Sequence, residues 1–255
     1  MTLRTLQKWH GAGNDFLVDV QEDGLSPWWT PARARALCHR TTGVGADGLL
    51  VATLGPVVTM VLYNADGSVA EMSGNGIRCL AAAVRRSTNA TWESLSVETA
   101  TGTRSVELTM DGTSGYGSVV MGDVTFNESI EGAIGVASVG NPHVVVLDDA
   151  TWSDATREDL AAKLAAQVGG ANVEFLSVLG EDHLSIRVIE RGVGWTQACG
   201  TGSCAVAALA RRAGLCGDVV TVENPGGTLR VVLDGDEATL SGPVQFVANV
   251  EWLEA

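Results

Sequence analysis

Two short segments of this chain combine residue types that suit proton transfer. CGTG begins at Cys199 and SGNG begins at Ser73, and an Ala-rich helix is predicted directly after each segment. The first N–H groups of a helix have no partner within the helix, so they create a positive field that binds carboxylates and favours a thiolate. Glycine lets a ligand approach the backbone closely. The pattern favours an activated cysteine beside a carboxylate-binding turn, and a small residue buried at a tight helix start is the structural alternative.

The two segments belong to an internal repeat. SGNGIRCLAAAVRR from Ser73 resembles CGTGSCAVAALARR from Cys199, 126 residues further on. LSVETATGTRSVEL from Leu95 resembles VTVENPGGTLRVVL from Val220 at a spacing of 125, and the GN pairs at positions 13 and 140 are 127 apart. Abundant Gly and Ala give chance matches, but such matches do not keep a constant spacing. The sequence therefore predicts a duplicated, two-domain protein.

The repeat gives the two segments a common chemistry. Pseudo-symmetry predicts that Ser73 and Cys199 face each other across a cleft between the domains, so that two helix N-termini bind one carboxylate. Side chains on opposite faces of a carbon can remove a proton on one face and deliver one on the other. That is racemisation or epimerisation without a cofactor, in which hydrogen-bond donors stabilise the carbanion and water is excluded.

Each half contains strand-like segments punctuated by Gly, Asn, Asp and Pro, together with two predicted helices. In the first half, one helix is predicted after Thr30, which serves as its N-cap, and a second over 77–86. In the second half, helices are predicted over 153–168 and 203–212. This is an α+β pattern of two pseudo-symmetric domains, each a mainly antiparallel sheet wrapped around a central helix. We expect a boundary within 121–131. GDVTF from Gly122 matches GPVQF from Gly242, so we expect the C-terminal strand to return to the first domain. The two predicted domains are then residues 1–122 together with 245–255, and residues 123–244.

Composition excludes several classes of protein. The 255 residues are 45% hydrophobic, so the chain can bury a core, and its net charge of −14 argues against nucleic acid or an anionic membrane as a partner. No apolar run reaches the roughly 18 residues of a membrane span, and the start lacks a signal-peptide pattern, so we expect a cytoplasmic protein. The five cysteines lack zinc-site spacing, so we expect free thiols and no metal.

Longer motifs resemble a known family. KWHGAGNDF, NADGSVAEMSGNGIRC, VGNPHVVV, NVEFL, IRVIERGVGWTQACGTGSCA and NPGG occur in this order over essentially the whole chain and resemble the diaminopimelate epimerase family. The resemblance implies an isomerase that uses neither pyridoxal phosphate nor any other cofactor. It interconverts LL- and meso-diaminopimelate in the synthesis of lysine and peptidoglycan precursors. It also implies two similar domains that close on the substrate, usually in a homodimer.

The resemblance also assigns site residues. Cys199 matches one catalytic cysteine of the family, Ser73 occupies the position of the other, and His143 and Glu190 match residues that assist them. Substrate-binding positions are matched by Asn14, Asn64, Gly74, Asn75, Asn141, Asn172, Glu190, Arg191, Gly200 and Thr201. The types suit a zwitterion, because arginine binds a carboxylate with two parallel bonds and a carboxylate accepts from an ammonium. The structural alternatives are that the asparagines only form turns, that His143 is a satisfied turn histidine and that Arg191 is a surface charge at a strand end.

The chain departs from the family at three positions. Ser73 replaces a cysteine, and a serine is a poor proton carrier without a strong base, so we expect impaired epimerisation with substrate binding retained. The serine is either an engineered substitution that traps a complex or a natural divergence. Trp195 replaces a small or acidic residue and would narrow or line the cleft. Gly48 replaces an amide that contacts substrate in many members, which would loosen specificity.

Two other functions remain open at the level of sequence. A related racemase or dehydratase would use the Ser/Cys pair on another amino acid, and a catalytically silent protein would only bind an amino acid. Arg191 and the distal asparagines favour a long substrate with two amino-acid ends over a small cyclic one. The partner in each case is a small molecule.

Overall fold

A computed structural model describes residues 3–22 and 28–253. The chain divides into two compact units, unit 1 comprising Met1–Val119 with Gly242–Ala255 and unit 2 comprising Val120–Ser241. Each unit combines helices with a mostly antiparallel sheet, which confirms the predicted α+β class.

Unit 1 is built around a closed ring of strands. Its elements are β1 (Leu3–Gly11), β2 (Asn14–Glu22), α1 (Pro31–Cys38), β3 (Gly48–Leu54), β4 (Val58–Asn64), β5 (Val69–Ala70), α2 (Gly74–Thr88), β6 (Ser94–Thr99), β7 (Gly102–Asp111), the start of β8 (Ser114–Asp123) and the end of β17 (Glu237–Leu253). Neighbours pair in the order β1-β2-β3-β4-β6-β7-β8-β17, and β17 pairs with β1, which closes an eight-stranded barrel. The pairs β2–β3 and β4–β6 are parallel.

Helix α2 fills this barrel. Residues 74–84 are all buried, and the helix contacts β1, β2, β3, β4 and β7. The run CLAAAV suits a helix enclosed by strands, because small side chains let the backbone approach the sheet on every side. The helix begins after Ser73 and ends at Asn89, whose left-handed backbone (φ 50°) closes the last turn. The helix predicted at 77–86 is confirmed and is longer at its start.

Helix α1 packs on the outer face of the same sheet. Thr30 Oγ1 accepts from the N–H of Arg33 at 3.3 Å, and Pro31 takes the first helical position, as predicted. Its apolar face lies in a core cluster with Leu6 and Leu49. Trp29 is a buried member of this cluster, and Trp28 packs against it.

Unit 2 repeats this arrangement. Its elements are β9 (Thr125–Phe126), β10 (Gly135–Ser138), β11 (Pro142–Leu147), α3 (Asp154–Gln167), β12 (Asn172–Gly180), β13 (His183–Glu190), β14 (Gly194–Thr196), α4 (Gly200–Arg212), β15 (Val219–Asn224), β16 (Gly227–Asp234) and the start of β17. The strands pair in the order β9-β10-β11-β12-β13-β15-β16-β17. The pairs β11–β12 and β13–β15 are parallel, at the same places as in unit 1.

The helices of unit 2 are also equivalent to those of unit 1. Helix α4 is buried over residues 200–210 and contacts β10, β11, β12, β15 and β16, so it is the central helix. Helix α3 begins after Ser153, whose hydroxyl accepts from the N–H of Thr156 at 3.1 Å, and it packs with Phe175 in an outer core cluster. The predicted wrapping of each sheet around a central helix is confirmed. Among the described residues, none of the helices has the length and apolar character that crossing a membrane requires.

Candidate active-site residues

Ser73 is the N-cap of α2. Its backbone is extended (φ −143°, ψ 118°), and its Oγ accepts from the N–H of Gly76 at 3.0 Å. The side chain is half-buried, whereas Gly74 and Asn75 behind it are buried. The hydroxyl therefore lies at the positive end of the central helix, as the sequence predicts.

A buried arginine supports this turn from within the helix. Arg78 is fully buried, and its guanidinium donates to the carbonyl of Gly74 at 2.9 Å and to Asn75 Oδ1 at 2.7 Å. Asn75 Nδ2 in turn donates to Asn14 Oδ1 at 3.3 Å, and Asn14 Nδ2 donates to Asp47 Oδ2 at 2.7 Å. This chain of bonds fixes the orientation of both amides. We call Ser73 and Gly76, with Leu50 on β3 and Phe16 on the neighbouring strand β2, the Ser73 site.

Asn64 and Gly48 lie opposite each other on β4 and β3. The amide of Asn64 donates to Ser68 Oγ at 3.0 Å. This is a turn interaction, and it agrees with the alternative that Asn64 is a turn former. A Cβ at Gly48 would lie 2.8 Å from the carbonyl oxygen of Tyr63 and 3.3 Å from Phe16 Cδ1. This chain therefore has no room for a longer side chain at position 48 without a shift of its neighbours.

Cys199 is the N-cap of α4, in the same conformation as Ser73 (φ −122°, ψ 113°). Its Sγ accepts from the N–H of Gly202 at 3.4 Å and lies 3.5 Å from Thr201 Oγ1. The backbone N–H of Cys199 donates to Asn224 Oδ1 at 3.3 Å, so β15 anchors the turn. Gly200, Thr201 and Cys199 are all buried.

Two polar residues from neighbouring strands lie against this thiol. His143 on β11 and Glu174 on β12 have no exposed surface, and His143 Nδ1 lies 2.7 Å from Glu174 Oε1. The other ring nitrogen of His143 lies 3.0 Å from Asn141 Oδ1. A ring nitrogen of His143, a carboxylate oxygen of Glu174 and the sulfur of Cys199 all lie within 4.8 Å of one another. We call these three residues with Gly202 the Cys199 site.

The surroundings of Cys199 oppose its ionisation. Burial raises the pKa of the thiol well above its ordinary value, and the charges of Glu190 and Glu174 raise it further. The hydrogen bonds from Thr201 and from the N–H of Gly202 act in the opposite direction but are weaker. In the free protein Cys199 is therefore a thiol, not the thiolate that the helix N-terminus alone would favour.

Asn172 begins β12, and Glu190 and Arg191 lie at the end of the neighbouring strand β13. Asn172 Oδ1 accepts from the backbone N–H of Arg191 at 2.9 Å, and Glu190 Oε1 accepts from Thr196 Oγ1 at 2.6 Å. Glu190 and Arg191 also line a cavity of about 330 Å³ against α3. Arg191 is exposed, so its guanidinium is accessible to a ligand.

Trp195 belongs to the outer core of unit 2. Its Nε1 donates to Glu158 Oε1 at 2.7 Å, and the Arg187 guanidinium lies over its ring at 4.3 Å from the centroid. The ring packs against the cluster of Phe175 beneath α3.

Glu174 was missed by the sequence analysis, although NVEFL contains the signal. A single carboxylate inside an otherwise apolar strand is rarely buried without a function or a partner. Asp47, in the turn before β3, orients Asn14 through its carboxylate. Arg78 gave no comparable signal, because an arginine in a helix ordinarily lies on the surface.

The Cys199 site is assembled from distant parts of the sequence. Its three polar side chains come from two separate strands and a helix, so sequence spacing does not reveal the cluster.

Comparison with known proteins places these features in one family. A family model described as diaminopimelate epimerase matches residues 6–127 and 135–247. The chain is similar to a diaminopimelate epimerase from Desulforudis audaxviator, at 36% identity over 97% of this chain and 99% of that protein. It is also similar to one from Methanothrix thermoacetophila, at 39% identity over 95% of this chain and 93% of that protein.

A solved structure agrees on the fold. A predicted epimerase from Pseudomonas aeruginosa gives a TM-score of 0.77 at 16% identity and covers 99% of this chain and 100% of its own. The matched models and relatives span nearly the whole sequence, including both duplicated helix starts. The chain therefore belongs to the diaminopimelate epimerase family, and its predicted assignment to the isomerases is confirmed.

Proposed function

We propose that this protein is a cofactor-independent epimerase that interconverts LL- and meso-diaminopimelate in lysine and peptidoglycan precursor synthesis. The observation that carries the proposal is the matched pair of N-caps, Ser73 and Cys199, each accepting from the third N–H of a buried central helix. The relatives at 36% and 39% identity, which are named diaminopimelate epimerases, support this substrate.

In the proposed reaction Ser73 and Cys199 act on opposite faces of one α-carbon. The N–H groups at Gly74, Asn75, Gly200 and Thr201 bind the carboxylate of that centre and stabilise the charge that develops on it. On one face the Cα–H bond breaks, its proton passes to the side chain of Ser73 or of Cys199 according to the direction of the reaction, and its electron pair stays on the substrate. On the other face a proton from a side chain forms the new Cα–H bond, which inverts the centre.

Cys199 is the proton donor in this scheme, because its burial and its acidic neighbours keep it a thiol. An ammonium group accepted by Glu190 cancels part of that negative charge, so substrate binding lowers the pKa of the thiol. Cys199 can then return to the thiolate after it delivers its proton and can take the proton back from the product. His143 assists from its place 2.7 Å from Glu174.

Ser73 limits this chemistry on its own face. A hydroxyl ionises far less readily than a thiol, and His143, which could serve Ser73 as a base, is paired with Glu174 in unit 2. Exchange of the α-proton at Cys199 is retained through the thiolate that forms when bound substrate lowers the pKa of the thiol, whereas inversion is slow. The serine also favours the alternative in which the protein binds diaminopimelate without turning it over.

The remaining candidates bind the far end of the substrate. We propose that Asn14, Asn64, Asn141, Asn172 and Arg191 recognise the second amino-acid group, with Arg191 on its carboxylate. Arg191 is exposed and its backbone is fixed by Asn172, which suits a residue that waits for a charged ligand.

Further parts of the proposal rest on the family. We expect a homodimer in the cytoplasm, with no cofactor, metal, nucleic acid or membrane as a partner. We also propose that residues 1–122 with 245–255 and residues 123–244 are the two domains that close on the substrate.

The test follows the α-proton in D2O. LL- and meso-diaminopimelate are incubated with the protein, and ¹H NMR and chiral chromatography report exchange and inversion. Exchange with inversion supports the epimerase, exchange without inversion supports chemistry at Cys199 alone, and tight binding without exchange supports the silent protein. Cys199→Ser should abolish exchange, whereas Cys216→Ser, at a half-buried cysteine on the same unit, should not.

A further inference from the structure

The family assignment leaves unexplained a fully buried carboxylate at the Cys199 site. Glu174 has no exposed surface, and among the described residues its Oε2 has no hydrogen-bond partner. Burial of a carboxylate is costly unless the group is paired, so a half-satisfied one points to a function.

The surroundings of Glu174 hold it in one place. Its Oε1 lies 2.7 Å from His143 Nδ1, and a Cβ added at Gly202 would overlap the same oxygen. Gly202 is also the residue whose N–H donates to Cys199 Sγ. The carboxylate is therefore packed against the turn that carries the thiol.

The duplicated half shows that the fold does not require this carboxylate. Leu50 stands two residues after Gly48 on β3, as Glu174 stands two residues after Asn172 on β12. Leu50 Cδ2 lies 3.4 Å from a Cβ built at Gly76, the position equivalent to Gly202. A leucine fills the same place in the barrel of unit 1, so the charge in unit 2 has a role other than packing.

We propose that Glu174 is a positioning residue of the reaction: held by His143 and seated on Gly202, its carboxylate keeps Cys199 in the thiol form that delivers a proton to the substrate. The groups that face the thiol are Glu174 on β12, His143 on β11 and Glu190 on β13. Glu174 differs from Glu190 in being enclosed, so solvent and salt do not screen it. The catalytic role of Glu174 rests on the proposed function, but its effect on the ionisation of Cys199 does not.

The experiment measures ionisation of Cys199 without substrate. Alkylation by iodoacetamide is followed by mass spectrometry of the peptide that contains Cys199, from pH 6 to pH 11. The midpoint of the rate profile reports thiolate formation, and the plateau at high pH reports access to the thiol. In the unmodified protein the midpoint should lie above the value of about 8.5 for a free cysteine.

Glu174→Gln keeps the size of the side chain and removes its charge. The midpoint should fall by one pH unit or more, which is at least about a tenfold faster alkylation at pH 8 with an unchanged plateau. Glu174→Asp keeps the charge and should keep the midpoint near that of the unmodified protein. Glu223→Gln is the matched control, because Glu223 Oε1 lies 2.7 Å from His183 Nε2 in an exposed pair. It should leave Cys199 unchanged.

Three results would overturn the proposal. One is a midpoint that stays in place in Glu174→Gln, and a second is an equal shift in the Gln and Asp variants, which would indicate a packing effect. The third is a midpoint at or below about 8.5 in the unmodified protein, a result that needs no variant to fold. The pH profile of diaminopimelate exchange should shift with the thiol. If the alkylation shift is found but no exchange occurs in any form, the proposed function fails and the role of Glu174 stands.

Discussion

The two central helices begin in the same way but in opposite chemical surroundings. Both start with an N-cap whose side chain accepts from the third N–H, and both bury a glycine at that position. At the Ser73 site the strands supply Phe16 and Leu50, which are apolar. At the Cys199 site the strands supply His143 and Glu174 at the corresponding places in the register.

The charges inside the helices differ as well. Arg78, five residues after Ser73, is a fully buried cation bonded to the first turn of α2. The residue five places after Cys199 is Cys204, which is buried and uncharged. The two helix starts therefore differ in their buried charged groups, a guanidinium in one and a carboxylate beside the other. In the reaction proposed above, this difference would suit a base at position 73 and an acid at position 199, and a serine ionises too poorly to act as that base.

Restoring a thiol at the Ser73 site is the largest expected effect. Ser73→Cys should raise epimerisation by about 100-fold or more, because a thiol near a helix N-terminus and a buried cation ionises far more readily than a hydroxyl. The assay is the initial rate of LL-to-meso conversion. Ser87→Cys, near the other end of α2, is the control and should give no gain. An unchanged rate in Ser73→Cys would discredit the assignment of position 73.

Removing the buried cation tests the electrostatic half of the comparison. Arg78→Met should cost about 3 kcal/mol of unfolding free energy, because the carbonyl of Gly74 and the amide oxygen of Asn75 lose charged donors while they remain buried. Arg86→Met, at an exposed position of the same helix, should cost less than about 1 kcal/mol. Urea unfolding measures both. Equal losses in the two variants would contradict the view that Arg78 organises the turn.

A pair of glycine variants compares the space behind the two N-caps. Gly202→Ala should destabilise by about 2 kcal/mol, since its Cβ overlaps Glu174 Oε1 in a well-packed interior. Gly76→Ala meets Ser73 Cβ at 3.1 Å and Leu50 Cδ2 at 3.4 Å, and the alanine gains helix propensity, so the net change should be within about 1 kcal/mol. Urea unfolding of the two variants side by side gives the difference. A larger loss in Gly76→Ala would reverse the comparison.

Much of this architecture follows from the sequence because the relevant signals are local or repeated. The repeat spacing predicts two equivalent units, and Thr30, Ser73 and Cys199 are capping residues that act within four positions of themselves. Strands β1, β2, β3, β8, β10 and β12 were not predicted individually. Some of them pair with a sequence neighbour across a short turn, as β1 does with β2 and β10 with β11, but their patterns are those of generic buried strands.

The polar surroundings of the two sites could be predicted only in part. His143 is recognisable in GNPH through the family resemblance, but its partner Glu174 lies 31 residues away on a parallel strand, and register alone brings them together. Trp195 shows that position in the sequence does not by itself give the direction of a side chain. Its nearness to Cys199 in sequence suggested a place in the cleft, whereas strand β14 directs its ring to the cluster beneath α3. Sequence distance is a poor guide where strands alternate faces.

The smallest expected effect concerns acid stability around the Ser73 site. Burial alone would raise the pKa of Asp15, but hydrogen bonds from Arg40 and Lys8 outweigh it, and the pKa is lowered. A lowered pKa in the folded state means that the ionised carboxylate stabilises the protein above the unfolded value of about 3.9 and that this stability is lost as the pH falls through the folded value. Asp15→Asn should therefore cost about 1 kcal/mol at pH 6, since Arg40 is largely exposed and screened.

The difference between Asp15→Asn and the unmodified protein should shrink as the pH falls below about 4, because the carboxyl is protonated first in the unfolded chain and then, at the lowered pKa, in the folded protein. Urea unfolding from pH 3 to pH 6 measures this difference in stability. Asp111→Asn, at an exposed position of β7, is the control. Since Asp15 also contacts the Arg40 that binds Asp47, loss of its charge should loosen the bond from Asp47 to Asn14. A pH-independent cost would mean that Asp15 stabilises unit 1 by packing, and the acid sensitivity of the Ser73 site would then have to arise from other groups.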